Sequence, residues 1–401
     1  MSRSSTPRSR RFVDALNEFL QTEAAGGAVL LVATVAALAL ANSPADGWYR
    51  DIVHHEIDVS FGWFDLREDV QHWINDGLMT LFFFVVGLEI KRELAVGELR
   101  TVRRAAVPAF AALGGMVVPA ALFLAITAGG PGARGWGIPM ATDIAFALGV
   151  LALFGSRIPS GLRLFLLSLA IVDDIGAILV IAVFYSERIS LGWLLAAGLA
   201  VVVIVSLQRI GVGAISVYVP LGLAVWLFTF ESGVHATIAG VALGLLTPVA
   251  PIRGRNVAET LEHRLHPWTS FLVVPLFALA NAGVALSGEA ASGAIGSALA
   301  WGIVVGLVVG KPLGIMSAVL VARRLRWGEL PDGVTLPMLA GASCVAGIGF
   351  TVSLFVADLA FRAPNLDDAK LGVLAASIAA GGFGAVVLRR ATVSRRSDGQ
   401  M

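Results

Sequence analysis

Charged residues are scarce in this sequence. Only 14% of its 401 residues are Asp, Glu, Lys or Arg, whereas soluble domains carry about 25%. Hydrophobic residues make up 57%, above the roughly 45–50% of ordinary domains. This composition excludes a water-soluble globule and favours a chain embedded in a lipid bilayer.

Cysteine is almost absent, and neither sign of charge dominates. The single Cys344 excludes an internal disulfide framework and a cysteine-rich metal site. The net charge of +1 gives no indication of a nucleic-acid partner. Glycine is abundant, with 45 residues, which is typical of closely packed membrane helices and of the breaks within them.

Long apolar runs organise the chain, because a membrane-spanning helix needs about 17–25 mainly apolar residues. Clear runs lie near 24–42, 77–90, 105–127, 161–184, 192–207, 270–286, 299–322 and 371–388, and shorter or interrupted ones near 133–154, 214–230, 234–250 and 336–357. The sequence therefore predicts an all-α integral membrane protein with twelve transmembrane helices in a single transporter domain, residues 1–401. The basic N-terminus before the first run also resembles a cleavable signal peptide, but the many later runs make an uncleaved first span the simpler interpretation.

The distribution of basic residues predicts the orientation. Of the 29 Lys and Arg residues, 22 fall in the N-terminus, the alternate loops that share its side and the C-terminus, and six fall in the opposite loops. Cytoplasmic loops carry the excess of Lys and Arg. Both termini are therefore predicted to be cytoplasmic in a multi-pass protein of the bacterial inner membrane.

The first outer loop, residues 43–69, is long and acidic. Within it, residues 57–66 show partial apolar alternation around Gly62, which weakly indicates a β-hairpin. An irregular loop explains the composition equally well. Since an isolated two-stranded hairpin is marginal in water, pairing with a second copy of the chain would stabilise it.

Two regions, 105–184 and 299–390, share a pattern that predicts an inverted repeat. In each, a continuous span precedes an interrupted one, which precedes another continuous one. The interruptions, at 135–143 and 341–351, contain helix breakers in mid-membrane. Repeats of three spans have opposite orientations, and transporter sites commonly form where such broken helices meet.

Asp173 and Asp174 lie side by side near the middle of a predicted span. A charge at the bilayer centre costs about 2.5–3.5 kcal/mol on insertion scales, so such residues usually pair and usually serve transport. Adjacent helical residues point about 100° apart, so the two carboxylates can border one cavity but take different partners. The alternative is an acid pair that only holds helices together.

Two further residues are placed to join this pair. Asp143 follows Thr142 just after the Pro139 break, where carboxylate, hydroxyl and freed carbonyl oxygens suit a hard cation, although Asp143 also suits a simple helix cap. Lys311 is the only basic residue deep in a predicted span and is the natural counter-charge for an acid. A lysine that snorkels to the interface is the alternative.

Weaker candidates lie near the predicted membrane surfaces. Those on the inner side combine acids, basic residues and histidines, which titrate near neutral pH but more often form solvated salt bridges. His235 and Asp76 lie in or near spans on the outer side. The inner group comprises Glu89, Lys91, Arg92, Glu93, Glu262, His263 and His266.

Several segments resemble the NhaA family of bacterial sodium/proton antiporters. The similarity extends over about residues 12–390 and is specific, because many short motifs occur in the same order. They are Gly87–Leu94, Ala141–Phe146, Leu169–Gly176, Gly233–Ala236, Leu265–Trp268, Pro275–Gly283, Gly310–Gly314 and Gly347–Thr351.

The resemblance implies twelve helices, two inverted three-helix units and unwound segments that cross near Thr142 and Gly347. It implies that Asp174 is the central carboxylate for Na+, Li+ and protons, that Asp173 lies beside it, and that Lys311 is the ion-pair partner. Thr142 and Asp143 would border this site. The resemblance further implies a homodimer through the outer hairpin at 56–67, and a pH-responsive set comprising Glu89, Arg92, Glu93, His235, Glu262 and His266.

The predicted function is electrogenic antiport by alternating access, in which cytoplasmic Na+ or Li+ leaves as external protons enter, for sodium extrusion and pH homeostasis. No cofactor is expected, and an enzyme is the least expected class because no nucleophile–base pair or phosphate-binding loop stands out. Coupled transport of an organic solute and a gated cation channel remain alternatives. A scaffold would leave the buried charges unexplained.

Overall fold

The computed structural model of the protein describes residues 7–61, 64–186, 189–250, 256–331 and 333–398, and most of them are helical. The α-helices are α1 (Pro7–Ala41), α2 (Asp46–Val53), α3 (Val70–His72), α4 (Met79–Ala95), α5 (Val102–Thr127), α6 (Ile144–Ala152), α7 (Ser160–Phe184), α8 (Leu191–Arg209), α9 (Ile215–Glu231), α10 (Thr237–Leu246), α11 (Val257–Trp268), α12 (Val274–Asn281), α13 (Gly288–Gly296), α14 (Ala298–Val305), α15 (Lys311–Arg324), α16 (Leu336–Val345), α17 (Phe350–Ala360) and α18 (Asn365–Asp398). Short 3-10 helices occupy Glu98–Arg100, Pro131–Met140 and Gly155–Arg157, and π-helical segments occupy Trp73–Leu78, Thr269–Val273 and Gly306–Gly310.

Seven helices in the described part of the chain are long and apolar enough to cross a membrane, and two bent helix pairs raise the number to nine. The seven are Thr22–Ala41, Val70–Ala95, Ala105–Thr127, Ser160–Phe184, Leu191–Arg209, Ala298–Arg324 and Asn365–Val393. The shorter apolar helices α9 and α10 coincide with two further predicted spans. A mainly helical, multi-pass membrane protein is confirmed, whereas the number of twelve crossings and the inverted repeats stay predictions.

Both bent pairs break within the predicted interruptions. The helix Pro131–Met140 meets α6 at 45°, and α16 meets α17 at 42°. Residues 141–143 and 346–349 form the two breaks. Since a break in mid-membrane frees backbone amide and carbonyl groups, those groups need partners within the protein.

Glycine allows close packing around the first broken helix. A Cβ atom on Gly306 would lie 2.7 Å from Pro139 Cβ, and one on Gly310 would lie 2.9 Å from Pro119 Cα. Both contacts are shorter than real Cβ atoms make, so only glycine fits there. Gly302, Gly306, Gly310 and Gly314 recur every fourth residue, a spacing that allows close helix packing. The close approach brings Lys311, which follows Gly310, against the break.

Two helical stretches begin before the predicted spans. The second span, predicted at 77–90, forms part of the helix Val70–Ala95, and the ninth, predicted at 270–286, overlaps a helical stretch over 257–281. Hydropathy ends a span where polar residues begin, but a helix continues where the side chains of those residues bond within the protein. Gln71 Nε2, for example, donates to Asn281 Oδ1 at 2.8 Å.

The outer loop contains an antiparallel hairpin of β1 (Glu56–Phe61) and β2 (Phe64–Asp69), in which Glu56 pairs with Asp69. Of the two interpretations of this loop, the hairpin is therefore confirmed and the irregular loop is not. Gly62, at its centre, lies outside the described residues. The sequence did not predict α2, which precedes the hairpin in the same loop. A homodimer through this hairpin stays a prediction.

Candidate functional site

The two helix breaks contact each other and satisfy each other's backbone groups. Asp143 N donates to Ile348 O at 2.6 Å, and Thr142 Oγ1 donates to Ala346 O at 2.9 Å. Ser353 Oγ donates to Ile138 O at 2.7 Å. These bonds replace the helical ones that the breaks remove, so unwound backbone is tolerated here.

Asp143 caps a helix and also joins the two broken helices. Its Oδ1 accepts from Phe146 N at 3.1 Å, which is an N-cap of α6. Its Oδ2 accepts from Thr351 N at 3.0 Å and from Thr351 Oγ1 at 2.7 Å, in the first turn of α17. Two helix N-termini therefore converge on one carboxylate, and both favour its negative charge.

Asp173 is paired with Lys311 in a fully buried ion pair. The distance from Lys311 Nζ to Asp173 Oδ2 is 2.7 Å, and neither side chain is exposed. Thr142 Oγ1 donates to the same oxygen at 2.8 Å, and Lys311 Nζ also donates to Met140 O, a carbonyl at the end of the first half-helix. The ion pair thus connects α7 and α15 to the break. The snorkelling alternative for Lys311 is wrong, because the close glycine packing keeps its side chain inside the protein.

Asp174 differs from the other two acids in its surroundings. Its carboxylate lines a cavity, and no described residue donates a hydrogen bond to it. The 100° step along α7 explains the difference, since it turns Asp173 towards Lys311 and Asp174 towards open space. Of the three buried acids at the crossing, Asp174 is the one whose carboxylate accepts no hydrogen bond from a described residue, although Asp173 Oδ1 is also without such a bond.

The cavity is lined by residues of the crossing and by some of the inner candidates, so it connects the two. Carboxylates line it along its length. Its lining includes Glu23, Glu89, Thr142, Asp143, Asp174, His266 and Thr351. Such a row of acids attracts cations towards Asp174.

Most of the inner candidates form one cluster, two members of which, Glu89 and His266, line this cavity. Arg92 forms an ion pair with Glu262, and His266 Nε2 lies 3.9 Å from Glu89 Oε1. Burial raises the pKa of Glu262, and Arg92 opposes that effect. The charge of Glu93, on the same helix as Arg92, also acts on Glu262.

Glu23 belongs to this cluster, and sequence reasoning missed it. Its Oε1 lies 2.7 Å from His266 Nε2 and accepts from Ser270 Oγ at 3.3 Å. Burial alone disfavours a charged His266, but the hydrogen bond and charge of Glu23, with Glu89 and Glu262, outweigh burial and raise the pKa of His266. The sequence contained a signal for Glu23, because this residue is the last acid before the first apolar run.

His235 lies outside the inner cluster, at the other end of α7. His235 precedes α10, and its Nε2 lies 2.7 Å from Tyr185 O. The Tyr185 hydroxyl donates to Arg134 O at 2.8 Å and accepts from Gly137 N at 3.2 Å, so it holds the far end of the broken helix. The structure therefore does not bring His235 together with the other pH candidates.

Asp76 is half-buried in the π-helical segment Trp73–Leu78. Its backbone carbonyl accepts from Thr80 Oγ1 at 2.5 Å and from Trp226 Nε1 at 2.9 Å. It does not line the cavity at Asp174.

Apolar helices, two broken helices that cross, and a buried acid at the crossing define a polytopic membrane protein with a carboxylate site at its centre. Residues 17–388 match the family described as Na+/H+ antiporter 1. The chain belongs to this family of Na+/H+ antiporters, and the resemblance predicted from the sequence motifs is confirmed.

Similar proteins extend over nearly the whole chain. The Na+/H+ antiporter NhaA of Shewanella sp. (strain ANA-3) is 49% identical over 370 residues, which cover 91% of this chain and 95% of the relative. The antiporter of the same name from Escherichia coli O1:K1 / APEC is 47% identical over 379 residues, which cover 93% of this chain and 97% of the relative. The antiporter of that name from Shigella dysenteriae serotype 1 (strain Sd197) is 46% identical over 379 residues, which cover 93% of this chain and 97% of the relative.

Proposed function

We propose that the protein is a secondary active transporter that exchanges cytoplasmic Na+ or Li+ for external protons. The observation that carries this proposal is the Asp174 carboxylate, which faces the cavity and accepts no hydrogen bond from a described residue. A buried carboxylate in this position binds either a proton or a hard cation, but not both at once. Membership of an Na+/H+ antiporter family supports Na+ as the cation.

Exchange then follows from competition at one site. A cation that enters through the cavity displaces the proton of Asp174, and a proton replaces the cation after the site opens to the other side. Thr142 and Asp143 border the path, and their oxygens already hold the helix breaks together. Movement at the crossing would therefore accompany binding.

The buried pair of Asp173 and Lys311 supplies the second proton of the proposed cycle. Charge on either residue is stable only while its partner remains in contact. When a cation binds at Asp174, we propose that the pair loses one proton to the water of the cavity, and that it regains a proton after the cation leaves. Two protons per cation make the exchange electrogenic.

Electrogenic exchange predicts a specific sign of response to membrane potential. In proteoliposomes without a pH gradient, an inside-positive potential should drive protons out and accumulate Na+ or Li+ inside. Each net charge draws about 2.3 kcal/mol from 100 mV. A potassium gradient with valinomycin imposes the potential, and the uptake of Na+ or Li+ into the liposomes is measured.

The same experiment separates the alternatives. A cation channel would accumulate Na+ at an inside-negative potential, which is the opposite sign. An electroneutral exchanger would respond to neither potential but would respond to a pH gradient. Liposomes without protein provide the baseline.

We further propose that the inner cluster regulates exchange by pH, with deprotonated His266 as the active form. The negative charge of Glu23 raises the pKa of His266, so Glu23→Gln should lower it. Deprotonation would then occur at lower pH, and the pH of half-maximal activity should fall. The pH profile of Na+-dependent proton release from everted vesicles measures the shift.

Glu289→Gln is the control for this variant. Glu289 is an exposed acid on α13 and does not line the cavity. Its pH profile should coincide with that of the native protein. A Glu23→Gln profile that also coincides would contradict the assigned role of the cluster.

The proposed setting is the bacterial inner membrane, with both termini in the cytoplasm, which the alternation of basic residues supports. In this orientation the cavity opens from the Glu89 and His266 end towards the cytoplasm. The hairpin lies outside, where its edge strands suit pairing with a second copy. The physiological roles proposed are sodium extrusion and pH homeostasis.

A further inference from the structure

A layer of buried amide side chains and one half-buried carboxylate ties three helical segments together at the outer end of the molecule. Asn75 Nδ2 donates to Asp358 Oδ2 at 3.0 Å, and Asn281 Nδ2 donates to Asn75 Oδ1 at 2.8 Å. Gln71 Nε2 donates to Asn281 Oδ1 at 2.8 Å. The layer therefore joins the helix Val70–Ala95 to α12 and α17.

Each of these helical segments has its other end at the cavity or the inner cluster. Asn75 precedes Glu89 by about 21 Å of helix, at 1.5 Å per residue. Asp358 follows Thr351 by about 10 Å on α17. The layer thus lies beyond the crossing, on the side away from the cavity mouth.

The cavity reaches Asp174 from the inner side, and none of Gln71, Asn75, Asn281 and Asp358 lines it. Asn281 is fully buried, and Asn75 is only 4% exposed. The layer therefore lies outside the cavity, and its side chains are bonded to one another.

The chemistry of the layer suits contacts that form and break. Amides are neutral, and each bond here is a single hydrogen bond whose partners can bind water or an ion when the helices separate. An apolar layer would offer a passing cation no oxygen ligands. The side-chain oxygens of Asn75, Asn281 and Asp358 are the hard donors that alkali ions and protons need.

We propose that the hydrogen bonds among Asn75, Asn281 and Asp358 form the outer gate of the transport path, and that they break when Asp174 becomes accessible from outside. The proposal rests on the proposed exchange function. Asp358 is its movable element, because α17 carries Asp358 near one end and Thr351, which binds Asp143, at the other. A shift of α17 at the crossing would separate Asp358 from Asn75.

Thiol labelling tests the gate independently of transport. The background is Cys344→Ser with Val274→Cys, because Val274 lines the cavity. A membrane-impermeant cationic methanethiosulfonate is applied to intact cells or to everted vesicles. In this background we expect rapid labelling in everted vesicles and slow labelling in cells.

Asp358→Ala should open the gate. Loss of a hydrogen bond to a charged group shifts the balance of conformations by roughly 10-fold or more. Labelling from outside should therefore accelerate about 10-fold, while labelling in everted vesicles slows. Unchanged labelling from outside would overturn the gate, and faster labelling from both sides would overturn it as well, because that result indicates general loosening.

Two further variants identify the cause. Asp358→Asn removes the charge but keeps a carbonyl that accepts from Asn75, so its labelling should stay near the background rates. Asp367→Asn removes an acid from the exposed start of α18 on the same side and should also have no effect. If the labelling rates of Asp358→Asn equal those of Asp358→Ala, a gate that is held by hydrogen bonds is excluded.

Failure of the gate is distinguishable from failure of the exchange function. Na+-dependent proton release is measured on the native chain and on the labelling background. If the native protein exchanges ions but Asp358→Ala does not change labelling, only the gate is wrong. If the native protein exchanges no ions, the exchange function itself is wrong, whatever the labelling shows.

Discussion

Asp174→Asn is expected to abolish exchange without weakening the fold. In everted vesicles that hold a proton gradient, added Na+ or Li+ should release no more protons than in vesicles that lack the protein. The amide has the shape of the carboxylate but neither binds a proton near neutral pH nor balances a cation. Fluorescence of a pH-sensitive dye across the vesicle membrane measures the response.

Stability separates this result from misfolding. No described residue donates a hydrogen bond to Asp174, so the substitution breaks none of those bonds and removes a charge that is costly to bury. The melting temperature in detergent should therefore not fall. Glu289→Gln, an exposed acid on α13, should keep both stability and exchange. Retained exchange in Asp174→Asn would disprove the assignment of the site.

Lys311→Met should destabilise the protein more than most single substitutions. It leaves Asp173 buried with Thr142 as its remaining side-chain partner. Removal of one partner from a buried ion pair costs about 3–5 kcal/mol, whereas exposed pairs contribute about 0–1 kcal/mol. Thermal unfolding of the detergent-solubilised protein measures the loss.

A double variant tests the cause of that loss. In Asp173→Asn with Lys311→Met no charge is left unpaired, so most of the stability should return although exchange should not. Lys91→Met, near the C-terminal end of α4, is the control and should change stability by less than about 0.5 kcal/mol. A double variant as unstable as Lys311→Met alone would show that packing, rather than charge, explains the effect.

The central charges could be located from the sequence because the bilayer makes them conspicuous. A carboxylate such as Asp173 within a long apolar run needs a partner, and Lys311 was the only basic residue available at that depth. The helix breaks were visible for a related reason, since Pro139 and the glycines near 347 interrupt runs that are otherwise long enough to span. These predictions used local composition alone, together with the cost of burying charge.

Features that depend on contacts between distant segments could not be predicted in this way. Asn75, Asn281 and Asp358 are far apart in sequence, and none breaks an apolar run strongly enough to be noticed. Glu23 was passed over because the position of a residue at a span boundary does not reveal whether its side chain faces water or His266. The roles of Asp174 and the pH cluster stay predictions.

The hydrogen bonds between the two breaks have a mechanical consequence. Because Asp143 is bonded to both Ile348 and Thr351, the four half-helices share one pivot instead of moving separately. A rotation at that pivot would move the far ends of the half-helices more than their ends at the break. Under the proposed exchange, an ion bound beside the pivot would therefore act on both broken helices at one point.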